Sequence, residues 1–313
     1  MDFKHRPVLL NECIENLNIR PDGTYLDGTL GGAGHSTEIY RKLGPKGALI
    51  GVDQDIFALE TSQQRLKDLN GQARLVFENT NFIHMKDVCI KHEIEGLDGI
   101  LLDLGVSSHQ LDEGERGFSY QQDAPLDMRM DRRQAVDASV IVNEYDENQI
   151  KSLIRDYGEE KWAARIAEFI VKARSTKRIE TTFELVDIIK AAIPSSARRE
   201  GPHPAKRTFQ AIRIAVNDEL GILKKAIDDG VSLLKKGGRF CIITFHSLED
   251  RIVKNEFANK VYPCTCPAKF PVCICGKKPE AVHVSRKPIL PSNEELEENP
   301  RARSAKLRVI EKI

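Results

Sequence analysis

The sequence lacks any long apolar run: nowhere in its 313 residues do the roughly 18 consecutive apolar residues of a membrane-spanning helix occur. It also lacks net charge, because 47 Lys and Arg residues balance 47 Asp and Glu residues. Any attraction for nucleic acid must therefore come from local clusters of charge. The first twenty residues carry scattered charges and no signal-peptide core. We expect a cytoplasmic protein with no membrane partner.

Neither internal repeats nor low-complexity tracts occur, which excludes solenoid and fibrous architectures. Apolar residues make up 41% of the chain and charged residues 30%, as in ordinary globular proteins. The cysteine count is seven, and an odd count in a reducing compartment indicates thiols or metal ligands rather than a disulfide framework. The length suits one large α/β domain with an insertion.

Short apolar runs alternate with helix-length spacers in the first part of the chain. The runs are residues 24–27, 48–53, 74–77 and 99–103. Strands separated by helices form βαβ units and a parallel sheet with right-handed crossovers. The first part is therefore predicted to be a doubly wound α/β structure.

The pattern changes after Gln110. Residues 136–192 show helical periodicity without a convincing strand, and residues 194–206 form a basic linker that contains proline. We expect an α/β domain in two parts, 1–112 and 207–313, around an inserted, mainly helical domain for substrate recognition, 113–206.

The second part is predicted to open with a long amphipathic helix. It runs from Thr208 to a break at Gly237 and Gly238, with apolar residues at helical spacing. The sheet resumes over residues 239–245, and the apolar alternation at 307–310 predicts an edge strand.

The first strand ends at Asp27 and leads into a glycine-rich loop, residues 28–34. Glycine lets the backbone turn sharply and approach a ligand that lies over the strand ends. Asp53 closes the second strand at about the 20-residue spacing that places a carboxylate on ribose hydroxyls. The loop is not a dinucleotide G-x-G-x-x-G motif, and Asp27 suits a cationic ligand without phosphate, such as S-adenosylmethionine. A tight turn without a ligand is the alternative.

The fourth strand ends at Asp103, at the edge where open α/β sheets bind ligands. In Rossmann-like methyltransferases the acceptor atom meets the methyl group at this edge. An exocyclic amine of a base has its lone pair delocalised into the ring, so transfer needs an acceptor that holds the amine and takes its proton. Asp103 or a neighbouring backbone carbonyl can serve. A carboxylate that only caps the turn is the alternative.

A set of sequence blocks carries a resemblance to a known family. The blocks are residues 27–29, 34–36, 102–108, 116–119, 125–130, 157–160, 207–211, 245–251 and 299–304. In these blocks the chain resembles the RsmH (MraW) family, bacterial methyltransferases that modify N4 of a cytosine in small-subunit ribosomal RNA. The resemblance implies a Rossmann-like class I S-adenosylmethionine-dependent methyltransferase with an inserted helical domain. It also implies that the substrate is a decoding-centre cytosine of 16S ribosomal RNA within the small subunit, with no obligate protein partner.

The resemblance further implies a set of residues that contact S-adenosylmethionine: Ala33, Gly34, His35, Asp53, Phe82, Asp103 and Gln110. Asp103 is also the expected catalytic residue, and Phe82 offers an apolar face to adenine. Methylation at a ring carbon of cytosine needs a cysteine nucleophile, but Cys241 lies within a predicted buried strand. Nitrogen is therefore the better acceptor.

RNA recognition stacks splayed bases on aromatic rings and places Lys and Arg on phosphates. The expected substrate-binding residues are Phe118, Asp127, Arg129, Arg198, Arg199, Arg207 and His246. The candidates for the stacking ring are Phe118, Tyr120, Phe245 and His246. Charged runs that only face solvent are the alternative.

Four cysteines form two C-x-C pairs: Cys264 with Cys266, and Cys273 with Cys275. Four nearby thiolates can hold a tetrahedral structural zinc. The pairs are tighter than the usual C-x-x-C spacing, and thiols without a metal are the alternative.

Two other functional classes compete with the methyltransferase hypothesis. A non-catalytic RNA-binding ribosome assembly factor would have no reason to retain three strand-end acids, Asp27, Asp53 and Asp103. A Rossmann oxidoreductase that uses a nicotinamide cofactor is disfavoured by the glycine spacing.

Overall fold

A computed structural model describes residues 7–107, 110–111, 113–199, 201–267, 272 and 274–313. The chain contains two units, one made of Met1–Gly105 with Leu220–Ile313 and the other of Val106–Glu219. The inserted unit thus extends beyond the predicted range, 113–206, at both ends.

A seven-stranded sheet forms the first unit. Its strands are β1 Thr24–Asp27, β2 Ala48–Asp53, β3 Arg74–Asn79, β4 Leu97–Asp103, β5 Leu234–Thr244, β6 Ala281–His283 and β7 Lys306–Lys312. They are ordered β3-β2-β1-β4-β5-β7-β6, and β3, β2, β1, β4 and β5 pair in parallel. The predicted doubly wound, Rossmann-like α/β fold is confirmed. The strand order reverses at β1 and β4, and such a switch point opens a crevice at the carboxyl ends of the strands.

Helices flank this sheet: α1 Leu10–Leu17, α2 Gly34–Lys42, α3 Ile56–Lys67, α4 Met85–Lys91, α10 Leu223–Leu233, α11 Ser247–Val261 and α12 Asn293–Glu298. Successive residues of a strand point to opposite faces. In β4, Ile100 and Leu102 therefore join one apolar cluster, whereas Leu101 joins another. The central strands are buried on both faces, which explains their continuous apolar sequences. No helix in the described ranges is long and apolar enough to cross a membrane.

Two predictions for the second half of the sheet were wrong in detail. The segment 307–310 lies in β7, which pairs antiparallel with both β5 and β6 and is therefore an interior strand. The strand β5 begins at Leu234, before the glycine pair that was expected to precede it. Gly237 has φ +79°, and the pairing of β4 with β5 shifts register near it.

The second unit contains five helices within its described residues: α5 Ala138–Glu144, α6 Glu147–Gly158, α7 Ala163–Arg174, α8 Thr182–Ala192 and α9 Lys206–Asn217. They share one apolar core. The predicted long helix from Thr208 is two helices, because Asp218 adopts a left-handed conformation with φ 48° and ends α9. The apolar side of α9 packs in the core of the second unit, which moves the unit boundary beyond residue 206.

Hydrogen bonds from Asn217 hold the loop that leads into α5. Met128 is buried in a left-handed conformation, φ 61°. Asn217 at the end of α9 accepts the N–H of Met130 at 2.8 Å and donates to the carbonyl of Met128 at 2.8 Å. Buried hydrogen bonds from Asn217 thus fix the loop at its strained residue, Met128, and two residues after it.

Candidate functional site

Asp27 lies at the carboxyl end of β1 and is buried. Its carboxyl accepts the Ser36 hydroxyl at 2.7 Å and the Thr29 N–H at 3.1 Å. Burial raises the pKa of Asp27 to about 6, and the bonds from Ser36 and Thr29 oppose that rise. The carboxyl therefore anchors the start of the glycine-rich loop to the first turn of α2.

The loop turns sharply before α2. Ala33, directly before that helix, is buried and left-handed with φ 57°. At Gly34 a Cβ would lie 2.1 Å from Pro7 Cγ, so the position requires glycine. His35 Nε2 is 3.0 Å from the Val8 carbonyl oxygen, and burial lowers the pKa of His35 to about 4. His35 is thus neutral near pH 7.

Asp53 ends β2 and reaches back to this loop. Its Oδ2 accepts the Gly31 N–H at 2.8 Å, and its Oδ1 accepts the Asp55 N–H at 2.8 Å. Burial raises the pKa of Asp53 to about 7, although both backbone bonds favour the ionised form. Each oxygen keeps a second lone pair for a hydroxyl donor.

Phe82 follows β3 and covers the glycine-rich loop. A Cβ added at Gly28 would lie 3.0 Å from Phe82 Cβ and 2.4 Å from Leu102 Cδ2. Phe82 itself is 9% exposed. An apolar ring therefore lies beside the loop, where the sequence analysis predicted a surface for adenine.

Asp103 closes β4, and its N–H donates to Thr29 Oγ1 at 2.6 Å. Its Oδ1 is shielded from solvent and has no hydrogen-bond partner among the described residues, whereas the side chain as a whole is 27% exposed. Burial, together with the charges of Asp27 and Glu249, raises the pKa of Asp103 to about 8. His35 Nδ1 is 3.8 Å from Asp103 Oδ2, but neutral His35 does not compensate the negative charge. The Asp103 carboxyl can therefore accept a hydrogen bond from a ligand or bind a cation.

His246 begins the segment that follows β5, beside the end of β4. Residues Asp103 and Ile243 are paired in the sheet, and a Cβ at Gly105 would be 3.9 Å from Phe245 Cδ2. His246 Nε2 is 3.0 Å from Glu249 Oε1, and both side chains are largely buried. Glu249 Oε2 also accepts the Phe245 N–H at 2.8 Å. Neither ring nitrogen of His246 has a hydrogen-bond partner among the described residues, so the Glu249 carboxylate lies beside the ring without a hydrogen bond to it, at the same sheet edge as Asp103.

The sequence analysis missed Glu249, Thr29 and Ser36. The spacing of His246 and Glu249 is that of a capping box at the start of α11. Histidine is not a usual residue at the start of a helix, so the spacing alone gave a weak signal. Thr29 and Ser36 support Asp103 and Asp27 by bonds that only the folded loop reveals.

In the second unit, Gln110 Oε1 accepts the Ser107 N–H at 3.0 Å, and its side chain is buried. Phe118 is only 5% exposed and belongs to the apolar core, so it has no free face for a base. Tyr120 is half-buried and stacks on His203, with ring centroids 4.7 Å apart. The prediction that Phe118 or Tyr120 stacks on the target base therefore finds no support in their packing.

Arg129 is held by a bidentate pair with Asp127, at 2.7 and 2.9 Å. Its Nη1 also donates to the Gln134 carbonyl at 2.8 Å. These bonds lower the pKa of Asp127 against the effect of its burial. The pair braces the loop from within and leaves the guanidinium little capacity for a phosphate.

Other predicted RNA contacts lie on the surface. Arg198 and Arg199 are exposed at the end of a short 3₁₀ helix, Ser195–Arg198. Arg207 donates to the Glu159 carbonyl at 3.1 Å, and its side chain is 49% exposed. These cations are placed so that a phosphate can reach them.

Three of the four predicted metal ligands lie together. The sulfur atoms of Cys264, Cys266 and Cys275 are all within 4.8 Å of one another. Cys273 lies outside the described residues.

The residues at the sheet edge fit the predicted cofactor by the chemistry of their donor atoms. Asp53 offers carboxylate oxygens to a pair of hydroxyls, Phe82 an apolar ring, and Asp103 a buried oxygen without a partner among the described residues. Such a set suits a ligand with a ribose, an aromatic base and a positive charge. Phosphate-bearing ligands are disfavoured, because ionisation of any of the three carboxyls at this edge, Asp27, Asp53 and Asp103, would repel a phosphate.

The chain is similar to several known proteins. The family model described as "MraW methylase family" matches residues 2–313. A protein of Acetivibrio thermocellus named "Ribosomal RNA small subunit methyltransferase H" is 71% identical over 313 residues, with 100% of both chains covered. A protein of the same name from Clostridioides difficile is 59% identical, again with full coverage of both. A crystal structure of an rRNA methylase from Streptococcus thermophilus superposes with a TM-score of 0.43 at 10% identity, covering 100% of this chain and 99% of that one.

Proposed function

This chain belongs to the MraW methylase family, and on that premise we propose that it methylates the exocyclic N4 of a cytosine in the 16S RNA of the small ribosomal subunit, with S-adenosylmethionine as the donor. The relatives named above are ribosomal RNA small subunit methyltransferases. The single observation that supports the acceptor chemistry is the Asp103 carboxyl. One of its oxygens is buried without a hydrogen-bond partner among the described residues, and its pKa is raised to about 8. An RNA substrate in the small subunit would place the enzyme in the cytoplasm.

The strand ends of the first unit hold the donor in this proposal. In this proposal Asp53 accepts hydrogen bonds from the ribose hydroxyls and Phe82 packs on adenine. The turn at Ala33, Gly34 and His35 contacts the amino-acid end of the molecule. When bound, S-adenosylmethionine supplies a methyl group activated by a sulfonium charge. The acidic edge of the sheet favours that positive charge. Gln110, in the second unit, stays a prediction from the family resemblance.

Asp103 is the proposed proton acceptor. The lone pair of a cytosine amine is delocalised into the ring, so the nitrogen becomes nucleophilic as a hydrogen bond draws its proton away. A carboxylate with a pKa of about 8 is close to the working pH, which is the condition for efficient proton transfer. The Thr29 hydroxyl oxygen, which accepts the Asp103 N–H, fixes the backbone under the carboxyl. Asp103 therefore both orients the amine and receives its proton.

His246 is proposed to contact the base from the neighbouring strand end. Its Nε2 lies 3.0 Å from Glu249 Oε1, but neither ring nitrogen has a hydrogen-bond partner among the described residues. Glu249 is itself held by the Phe245 N–H. A buried imidazole with two unpaired nitrogens can form hydrogen bonds to the polar edge of a base.

Arg198, Arg199 and Arg207 are proposed to contact RNA phosphates. All three lie in the second unit: Arg198 and Arg199 are exposed, and the Arg207 side chain is 49% exposed. Arg129 and Asp127 support the loop around Met128 rather than contacting the nucleic acid themselves. Phosphate contacts of this kind supply affinity and register, whereas the choice of base is made at the sheet edge.

The test is transfer of labelled methyl groups to small ribosomal subunits that lack the modification, followed by digestion to nucleosides. We expect N4-methylcytidine with the wild-type protein and almost none with Asp103→Asn. Asp87→Asn serves as the matched control, because Asp87 is 78% exposed on α4 and lies apart from the sheet edge; it should transfer normally. A different methylated nucleoside, or equal yields from all three proteins, would refute the proposal.

A further inference from the structure

The segment between α11 and β6, residues 262–280, has neither a helix nor a strand in its described part. Its large apolar side chains face solvent: Tyr262 is 62% exposed, Val272 69% and Ile274 74%. A connection of this length without secondary structure is unusual in a compact protein. Because these side chains do not form a core, the segment needs another means of support.

Three cysteine side chains converge within this segment. The sulfur atoms of Cys264, Cys266 and Cys275 lie within 4.8 Å of one another, and those of Cys264 and Cys275 are 3.9 Å apart. Zinc–thiolate bonds of about 2.3 Å in a tetrahedral site require sulfur atoms about 3.8 Å apart. Disulfide-bonded sulfur atoms, by contrast, are separated by about 2 Å. The Cys264–Cys275 separation is close to that of two zinc ligands, and the Cys266 sulfur lies within 4.8 Å of both.

The backbone contacts one of the sulfur atoms directly. The Ile274 N–H donates to Cys266 Sγ at 3.3 Å. Gly276, directly after Cys275, has φ +67°, a conformation that favours glycine. An N–H group that points at a sulfur atom orients that side chain, as second-layer donors do around metal ligands.

The other described cysteines are in a different environment. Cys13, Cys89 and Cys241 are buried in the apolar clusters of the first unit. Burial raises the pKa of Cys89 to about 11 and that of Cys241 to about 12. They are therefore poor metal ligands, and they provide matched controls within the same chain.

We propose that Cys264, Cys266 and Cys275 bind one structural Zn²⁺ that holds the 262–280 segment in place. Each thiol that coordinates the ion releases its proton, and no redox change is involved. Soft thiolate ligands select zinc over magnesium or calcium. A structural zinc site has four ligands, of which these three cysteines supply three.

The direct test is metal analysis of the full-length protein purified without a chelator or a polyhistidine tag. We expect about one zinc per chain in the wild type and in Cys89→Ala, and less than about a tenth of that in a Cys264→Ser, Cys266→Ser, Cys275→Ser variant. Zinc that persists in the triple variant would overturn the proposal. So would wild-type protein that stays free of zinc after incubation with Zn²⁺ and gel filtration.

A second measurement does not depend on how well the triple variant folds. Wild-type protein loaded with Co²⁺ in place of Zn²⁺ should show thiolate-to-cobalt charge-transfer absorption, and added Zn²⁺ should abolish it. Absence of that band, or a disulfide between two of these cysteines in freshly purified protein, would contradict the proposal. Neither readout depends on methyl transfer, so failure here leaves the proposed function intact.

Discussion

Binding of S-adenosylmethionine at pH 7 should release about one proton from the protein. Burial holds the pKa of Asp103 at about 8 and that of Asp53 at about 7. At pH 7 a carboxyl with a pKa of about 8 is about nine-tenths protonated, and one with a pKa of about 7 is about half protonated. A cationic ligand with ribose hydroxyls favours the ionised form of both groups. If both ionise completely, about 1.4 protons leave.

The sign of the pH dependence follows from the same linkage. The unbound protein carries protons that the bound protein lacks, so raising the pH removes them in advance and strengthens binding. Affinity should therefore rise with pH up to about pH 9, where a carboxyl with a pKa of about 8, such as Asp103, is about nine-tenths ionised. Above that pH, ionisation of the protein adds little more to the affinity for S-adenosylmethionine. The amino group of the ligand is itself mostly protonated at pH 7 and takes up little.

Isothermal titration calorimetry at pH 7 in phosphate and in Tris measures this release, because the two buffers differ in their heat of protonation. The dependence of the binding enthalpy on that heat gives the number of protons. We expect about one for the wild type and for Asp87→Asn, and about half a proton or less for Asp103→Asn. Equal binding enthalpies in the two buffers for the wild type would refute the reasoning, because the strand-end acids would then already be ionised.

Three further predictions concern separate parts of the molecule. Asp53→Asn should weaken S-adenosylmethionine binding about tenfold to a hundredfold in the same calorimetry, because a charged hydrogen-bond acceptor contributes about 1.5–3 kcal/mol; unchanged affinity would remove Asp53 from the site. The double variant Arg198→Ala, Arg199→Ala should keep its affinity for the cofactor. The slope of log K for RNA binding against log salt concentration should become shallower by about 1.4 if the two contacts are to single-stranded phosphates. Identical slopes would show that these arginines do not contact RNA phosphates. Asn217→Ala should lower the free energy of unfolding by about 2–5 kcal/mol in urea titrations, because two buried backbone groups lose their partners. The control Asn255→Ala, on an exposed face of α11, should change the free energy of unfolding little. Equal stabilities of the two variants would show that the loop does not depend on Asn217.

Most of the parallel part of the fold could be predicted from the sequence because β1, β2 and β4 are buried on both faces, whereas β3 is only partly buried. The four apolar runs correspond to β1–β4, and three of these strands end in acids at the predicted edge: Asp27, Asp53 and Asp103. A fully buried strand is apolar along its whole length, so both its position and its end are visible. The edge of the sheet follows from the parallel arrangement.

Features that depend on tertiary contact were not readable. The helical periodicity of α9 continues into α10, and only the left-handed turn at Asp218 separates them. Phe118 lies in a basic loop whose composition indicates a surface, but the side chain packs in the core. Arg129 resembled a phosphate ligand, but Asp127, two residues away, binds its guanidinium. The sequence shows which residues are apolar or charged, whereas only the fold determines what each of them contacts.

The most direct test of the account is the single-turnover rate of methyl transfer to small ribosomal subunits at S-adenosylmethionine concentrations far below saturation, measured from about pH 6 to about pH 9, so that the rate follows the ionisation of the unbound protein. The wild-type rate should rise with pH and then level off, because Asp103 accepts the amine proton only when ionised. Asp103→Asn should be slower by about a hundredfold or more and should lose that rise. A variant that retains both the rate and the pH profile of the wild type would contradict the assignment of Asp103 as the proton acceptor.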